Sequence, residues 1–347
     1  MLTPLDENPV AQAELNHQTR SMPRRKRRWI RWLDRGFTLL VYGTAVVLFA
    51  NQIRVLLLLA SGAGGGIRAD DLPGWFRALA VLSIFAALIL HFRRMFQTLA
   101  LSANSIARER NANNWDMLVL TGIDARKIVL GKWWATVRHM WRPYIMLGIL
   151  RALLIVWYGA LTNPGYYGNA AYGVYYDPNN TGIILHMLLQ YILAGAAVFI
   201  FTMTNLLFTA ACGVTAFNKR SGVALARAVA TRLFLVIGLV LLGLLLISLL
   251  IGYTYSTRIL SSTVSSSLVT LFDNGVTVGE RLATYNFSNY YTYGTEIDPI
   301  FAVYLPAAIV ALIIYALLTL LLLRFAQWQA VRNGATPPLR RPFIKIV

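Results

Sequence analysis

Six long apolar runs leave this chain few ways to fold: they lie near Phe37–Leu59, Trp75–Leu90, Tyr144–Leu161, Ile183–Val214, Val223–Tyr253 and Ile300–Ala326. A bilayer core about 30 Å thick takes roughly 20 predominantly apolar residues as a helix. Several runs approach or exceed that length, so the expected fold is all-α: a polytopic membrane protein with six transmembrane helices. Composition agrees, with 57% hydrophobic and only 13% charged residues, against about a quarter charged in soluble domains. The fourth and fifth runs exceed the bilayer requirement and are expected to tilt or project from it. The third carries Arg151 near its middle. Its Leu, Ile and Val residues contribute roughly −3 to −5 kcal/mol to insertion and a central Arg costs about +3, so that run needs neighbouring helices to insert.

The formal charge of +18 raises the question of nucleic acid, but the Lys and Arg residues sit beside the apolar runs. That placement fits topology and contact with anionic lipid headgroups, and no nucleic-acid partner is expected. Arg20, Arg24, Arg25, Lys26, Arg27, Arg28, Arg31 and Arg35 lie in the amino-terminal tail. Arg108, Arg110, Arg126, Lys127, Lys132 and Arg138 follow the second run; Lys219, Arg220, Arg227 and Arg232 lie between the fourth and fifth; Arg324, Arg332, Arg340, Arg341 and Lys345 close the chain. The opposite loops offer Arg68, Arg258 and Arg281. The positive-inside rule puts both termini in the cytoplasm of a bacterial-type inner membrane. The expected organisation is a basic tail at 1–36, a six-helix transmembrane bundle at 37–330 and a second basic tail at 331–347. Trp29, Ile30, Trp32 and Leu33 among basic residues suggest an interfacial helix on the inner surface. Met1–Arg28 is polar and lacks a cleavage-type sequence, so no signal peptide is expected. Cys212, the sole cysteine, lies in an apolar run, which leaves neither a disulfide framework nor a cysteine metal site.

The outer loops are rich in tyrosine. Asn163–Thr181 holds Tyr166, Tyr167, Tyr172, Tyr175 and Tyr176, and Ser256–Pro299 holds Tyr285, Phe287, Tyr290, Tyr291 and Tyr293. An aromatic belt is the plain reading; a gate that touches an amphipathic cargo is the sharper one.

The stretch 106–132, IARERNANNWDMLVLTGIDARKIVLGK, interrupts the membrane pattern with charge. Ser105 or Asn104 can cap a helix beginning at Ile106, with Glu109 in its first turn. Trp115, Leu118 and Val119 recur at helical spacing, Gly122 ends the helix, and Asp124 can cap the next. The expected result is an amphipathic helix over about 105–122, hinged at Gly122. This order of residues resembles the cytoplasmic signature of ABC-2 type transporter permeases, whose pattern is close to I-x-x-E-R-E-x-G-T-x-E-x-L-L-x-T-P-L and then G-K. Ile106, Glu109, Arg110, Leu118, Thr121, Gly131 and Lys132 match in register, and Asp116 stands at the second acidic position. The chain departs from the pattern at Asn111, Asn113, Asn114 and Gly122.

The resemblance implies a coupling helix that docks on a separate ATP-binding subunit. Glu109, Arg110 and Asp116 would be its charged contacts and Trp115 and Leu118 its buried ones, with Thr121, Gly131 and Lys132 completing the motif. It also implies a second permease, as a homodimer or a related subunit, and alternating access driven by ATP. This chain lacks a Walker A loop: its only G-K, Gly131–Lys132, is followed by Trp133. No cofactor is therefore expected here, ATP and magnesium belong to the partner, and the chain is not expected to be an enzyme. A proton-coupled carrier is disfavoured because the 14 acidic residues fall in tails, loops or boundaries. No H-E-x-x-H or G-x-S-x-G supports a hydrolase, and His91, His139 and His186 read as interfacial or packing residues. A non-transporting scaffold with the same spans is the alternative. Arg54 and Arg151 are cations inside apolar runs, read either as snorkelling side chains or as contacts for an anionic cargo headgroup.

Overall fold

The computed structural model describes residues 8–20, 36, 38–50, 54, 74–112, 114–162, 181–250, 305–335 and 337. The expected interfacial helix and both tyrosine-rich loops lie outside the described residues. Among those described, eight helices form the fold: α1 Pro9–Arg20, α2 Thr38–Ala50, α3 Gly74–Asn111, α4 Asn114–Leu120, α5 Ala125–Thr162, α6 Thr181–Val214, α7 Ser221–Leu250 and α8 Leu305–Arg332. Four of them contain stretches long and apolar enough to cross a membrane: Val81–Asn111, Leu188–Val214, Ser221–Leu239 and Leu305–Arg332. The described parts of the second, fourth, fifth and sixth expected runs fall in these helices. The first is described mainly over the shorter Thr38–Ala50, and the third is the final part of α5, whose earlier turns carry Arg126, Lys127, Lys132, Arg138 and Arg142.

Helices α3 and α5 have 38 residues each. At 1.5 Å per residue they are about 57 Å long, nearly twice the thickness of a bilayer core. They meet at one end of the bundle, where α4 joins them in an elbow. Helix α6 is central, and α3, α5, α7 and α8 all pack on it. Its buried Phe201 and Phe208 meet Tyr315 of α8 edge-on, at centroid distances of 6.5 and 5.3 Å. The α3–α6 crossing is close because Gly213 carries no side chain: a Cβ there would overlap Ser102, the small-residue packing that lets membrane helices approach. A second cluster joins Val41, Ala45 and Leu48 of α2 to Ala86, Ala87 and Leu90 of α3 and Leu147, Leu150 and Leu154 of α5.

The expected helix start at Ser105 is not where the chain breaks. Helix α3 runs through it to Asn111, because Ser105 turns its hydroxyl back to donate to Ser102 O at 2.9 Å and Ile106 and Ala107 are buried in the core. The expected turn at Gly122 is present, with φ of 67° and Gly122 N donating to Val119 O at 3.0 Å. Asp124 does cap α5, accepting from Arg126 N at 2.8 Å.

Candidate functional site

The elbow is held from two sides. On one, the Trp115 ring of α4 is buried edge-on against Phe217, 5.5 Å between centroids at 90°. Its indole Nε1 donates to Asn333 O at the end of α8, 2.8 Å away. Helix α4 is only two turns long, too short to persist alone, so this anchor fixes it to the chain's own core. Val119 packs on the same core and Leu118 is half-buried. Asp116 and Thr121 are exposed, as are Met117 at 68% and Leu120 at 85%. An exposed apolar pair beside an exposed carboxylate is the outward face of α4.

On the other side, α1 clamps the junction. Asn8 caps α1 by accepting from Val10 N at 3.0 Å and ties it to α5 by donating to Lys127 O at 2.8 Å. Gly131 makes room for it: a Cβ at that position would come within 3.0 Å of both Asn8 Nδ2 and Val10 Cβ. Val10, Ala11, Glu14 and Gln18 form the buried stripe of α1. Glu14, whose side chain is 3% exposed, accepts from Lys132 Nζ at 3.2 Å and from Arg108 Nη2 at 2.7 Å. Lys132, 1% exposed, also reaches Glu109 Oε1 at 3.3 Å and donates to Ser105 O at 3.1 Å. Arg108 meets Glu109 Oε1 at 3.4 Å and His17 Nδ1 at 2.9 Å. Two cations thus face two carboxylates, and the network balances its own charge. Burial would raise the Glu14 carboxyl, but the charges of Lys132 and Arg108 and hydrogen bonds from Gln18 and Lys132 outweigh it and hold the group below its ordinary value.

Of the residues singled out by sequence, Glu109, Gly131 and Lys132 converge on the α1 side of this elbow and Trp115 anchors its other side. Asp116 and Thr121 lie on its outside, and Arg110 is half-buried. The essential partner that sequence reasoning missed is Glu14, hidden in a tail read only as basic. The start signal Asn8–Pro9 and the spacing of Val10, Ala11, Glu14 and Gln18 could have revealed a packed helix there.

Deeper in the bundle lies a second polar layer. Arg151 of α5, 8% exposed, donates to Thr202 Oγ1 of α6 at 2.7 Å. Arg232 of α7, 7% exposed, donates to Asn205 Oδ1 at 2.8 Å and to Thr209 Oγ1, and its guanidinium lies over Phe208 at 5.8 Å. Asn205 Nδ2 also meets His91 Nε2 of α3 at 3.5 Å. Sequence reasoning named Arg151 but counted Arg232 as a topological charge. Arg54, by contrast, is exposed.

In comparisons with known proteins, no family model, no curated protein and no solved structure matches this chain.

Proposed function

We propose that this chain is the membrane-spanning permease subunit of an ATP-driven ABC exporter. In this reading six helices cross a bacterial-type inner membrane with both termini cytoplasmic. The translocation path forms with a second permease, either another copy or a related subunit. ATP hydrolysis resides on a separate ATP-binding subunit that docks at the elbow, and surrounding anionic lipids meet the basic flanks.

The observation that carries the reading is the construction of α4. It is a short helix at the meeting point of two 38-residue helices, pinned from within by Trp115 and presenting Asp116, Met117 and Leu120 outward. A lever that transmits a push needs a rigid attachment to the long helices and a partly apolar outer face for its driver. Glu109 and Lys132 take a different role from the one the resemblance alone implies: they bind α1, α3 and α5 together, and the partner-facing contacts move to Asp116, Met117, Leu120 and Thr121. Alternating access would follow from ATP-driven motion of that lever.

Assembly tests the reading. Purified alone, the chain should hydrolyse no ATP; co-expressed with its cognate ATP-binding subunit, it should copurify in a complex with two permease positions. Robust hydrolysis by the isolated chain, or failure to bind any such subunit, would overturn it.

A further inference from the structure

We propose that Arg138, Trp141 and Arg142 of α5 and Phe325, Trp328 and Arg332 of α8 form a collar that seats in a layer of anionic phospholipid headgroups, with the elbow standing beyond it in water. All six side chains are exposed. Arg138, Trp141 and Arg142 recur at spacings of three and four residues and so share one face of α5. On α8, Phe325 stacks on Trp328 with centroids 5.7 Å apart, and the Arg332 guanidinium lies over the Trp328 ring at 5.6 Å. Each cluster sets cations beside an exposed tryptophan, the residue that favours the boundary between membrane and water. Guanidinium is in turn the group matched to phosphate oxygens.

The exposed apolar surface changes at the same place. On α3 the exposed large apolar side chains run from Val81 to Phe96, and on α5 they begin at Trp141. Residues 97–111 and 125–140 lie between those limits and the elbow; all are described, and none exposes a large apolar side chain. Tyr144 meets Thr98 at 3.4 Å and Lys132 donates to Ser105 O at 3.1 Å, so α3 and α5 run antiparallel with Phe96 and Trp141 near one level. On α8, Trp328 and Phe325 stand about 8 and 12 Å along the helix from Asn333, which the Trp115 anchor holds at the elbow. By sequence, Arg126, Lys127, Lys132 and Arg138 form one basic flank. In the fold Lys132 is buried in the elbow network, and Arg126 and Lys127 lie in the first turn of α5, about 17–24 Å along the helix from Arg138 and Arg142. The pull of an anionic surface fades within a screening length of ~8 Å, so the collar meets the headgroups and Arg126 and Lys127 do not. Met117 and Leu120 then lie outside the lipid, where a protein partner can reach them. The collar rests on the reading above only for the crossing of a membrane; exporter activity plays no part in it.

Two measurements on the full chain in nanodiscs test it. The first compares thermal unfolding in phosphatidylcholine with unfolding in phosphatidylcholine mixed with phosphatidylglycerol. The anionic lipid should raise Tm by about 3 °C or more. That rise should fall by at least half when Arg138→Gln, Arg142→Gln and Arg332→Gln are combined, and return when the same three positions carry Lys. It should survive Arg126→Gln combined with Lys127→Gln, and the basic amino-terminal tail is the same in every variant. The second measurement reads depth from spin labels on Met146→Cys and Arg126→Cys, through relaxation by oxygen and by a water-soluble nickel chelate. Oxygen should dominate at 146 and nickel at 126, an outcome that needs no neutralised variant to fold and does not depend on which side is cytoplasmic. A rise unchanged by the triple substitution, an equal loss in the Arg126 and Lys127 variant, or a label at 126 as deep as that at 146 would overturn the proposal. None of these results bears on whether an ATP-binding subunit copurifies.

Discussion

Lys132 and Glu14 are separated by 118 positions in sequence, yet each is almost wholly buried against the other. Breaking such a pair where nothing else compensates the remaining charge typically costs about 3–5 kcal/mol; here Arg108 still faces Glu14 and Glu109 still faces Lys132, so a single change should cost less than that, and replacing both can be nearly neutral. Lys132→Met should therefore release α1, and Glu14→Gln combined with Lys132→Met should cost less than the sum of the single changes. Hydrogen exchange across 9–20 reads both outcomes; strict additivity would mean the two groups do not interact. The same pair sets a pH dependence. Folding lowers the Glu14 carboxyl from its ordinary 4.5, so its stabilisation is complete above that value and is lost as pH falls through the lower folded value. Protection of α1 should hold steady above 4.5 and weaken below it in the native chain, and should lack this dependence in Glu14→Gln.

Between elements, space matters as much as charge. Gly131→Ala would put a methyl group against Asn8, Val10 and the backbone of Ala11, whereas Gly222→Ala on α7 meets nothing within 4 Å. The first change should expose α1 to limited proteolysis and the second should not; equal resistance in both would mean α1 is not seated on α5 as described. The long apolar helices were legible in sequence because their signal is local: α3, α6, α7 and α8 each announce themselves by composition alone. So were the Gly122 turn and the Asp124 cap, which depend on residues within one turn of each other. The break between α3 and α4 was not, because Ser105 can bond either forward as a cap or back to Ser102, and only the burial of Ile106 and Ala107 decides between them. Nor were Glu14 and Arg232, whose roles rest on partners 94 or more and 23 or more positions away.

For the whole molecule, orientation comes before mechanism. Cysteines introduced at Asn169 and Ser262 should react with a membrane-impermeant reagent from outside, and cysteines at Asn114 and Ser221 should not. The latter two positions are exposed, so silence there reports sidedness, and native Cys212 is buried and contributes no background. Reversed labelling would take the elbow out of the cytoplasm. The most direct test of the central claim is association of the ATP-binding subunit with a chain carrying Met117→Asp and Leu120→Asp. Both side chains are largely exposed, at 68% and 85%, so the change spares the Trp115 anchor and the buried network. The account predicts unchanged protein in the membrane and complex formation weakened at least tenfold, about 1.4 kcal/mol. Normal membrane levels with undiminished binding and ATPase stimulation would contradict it.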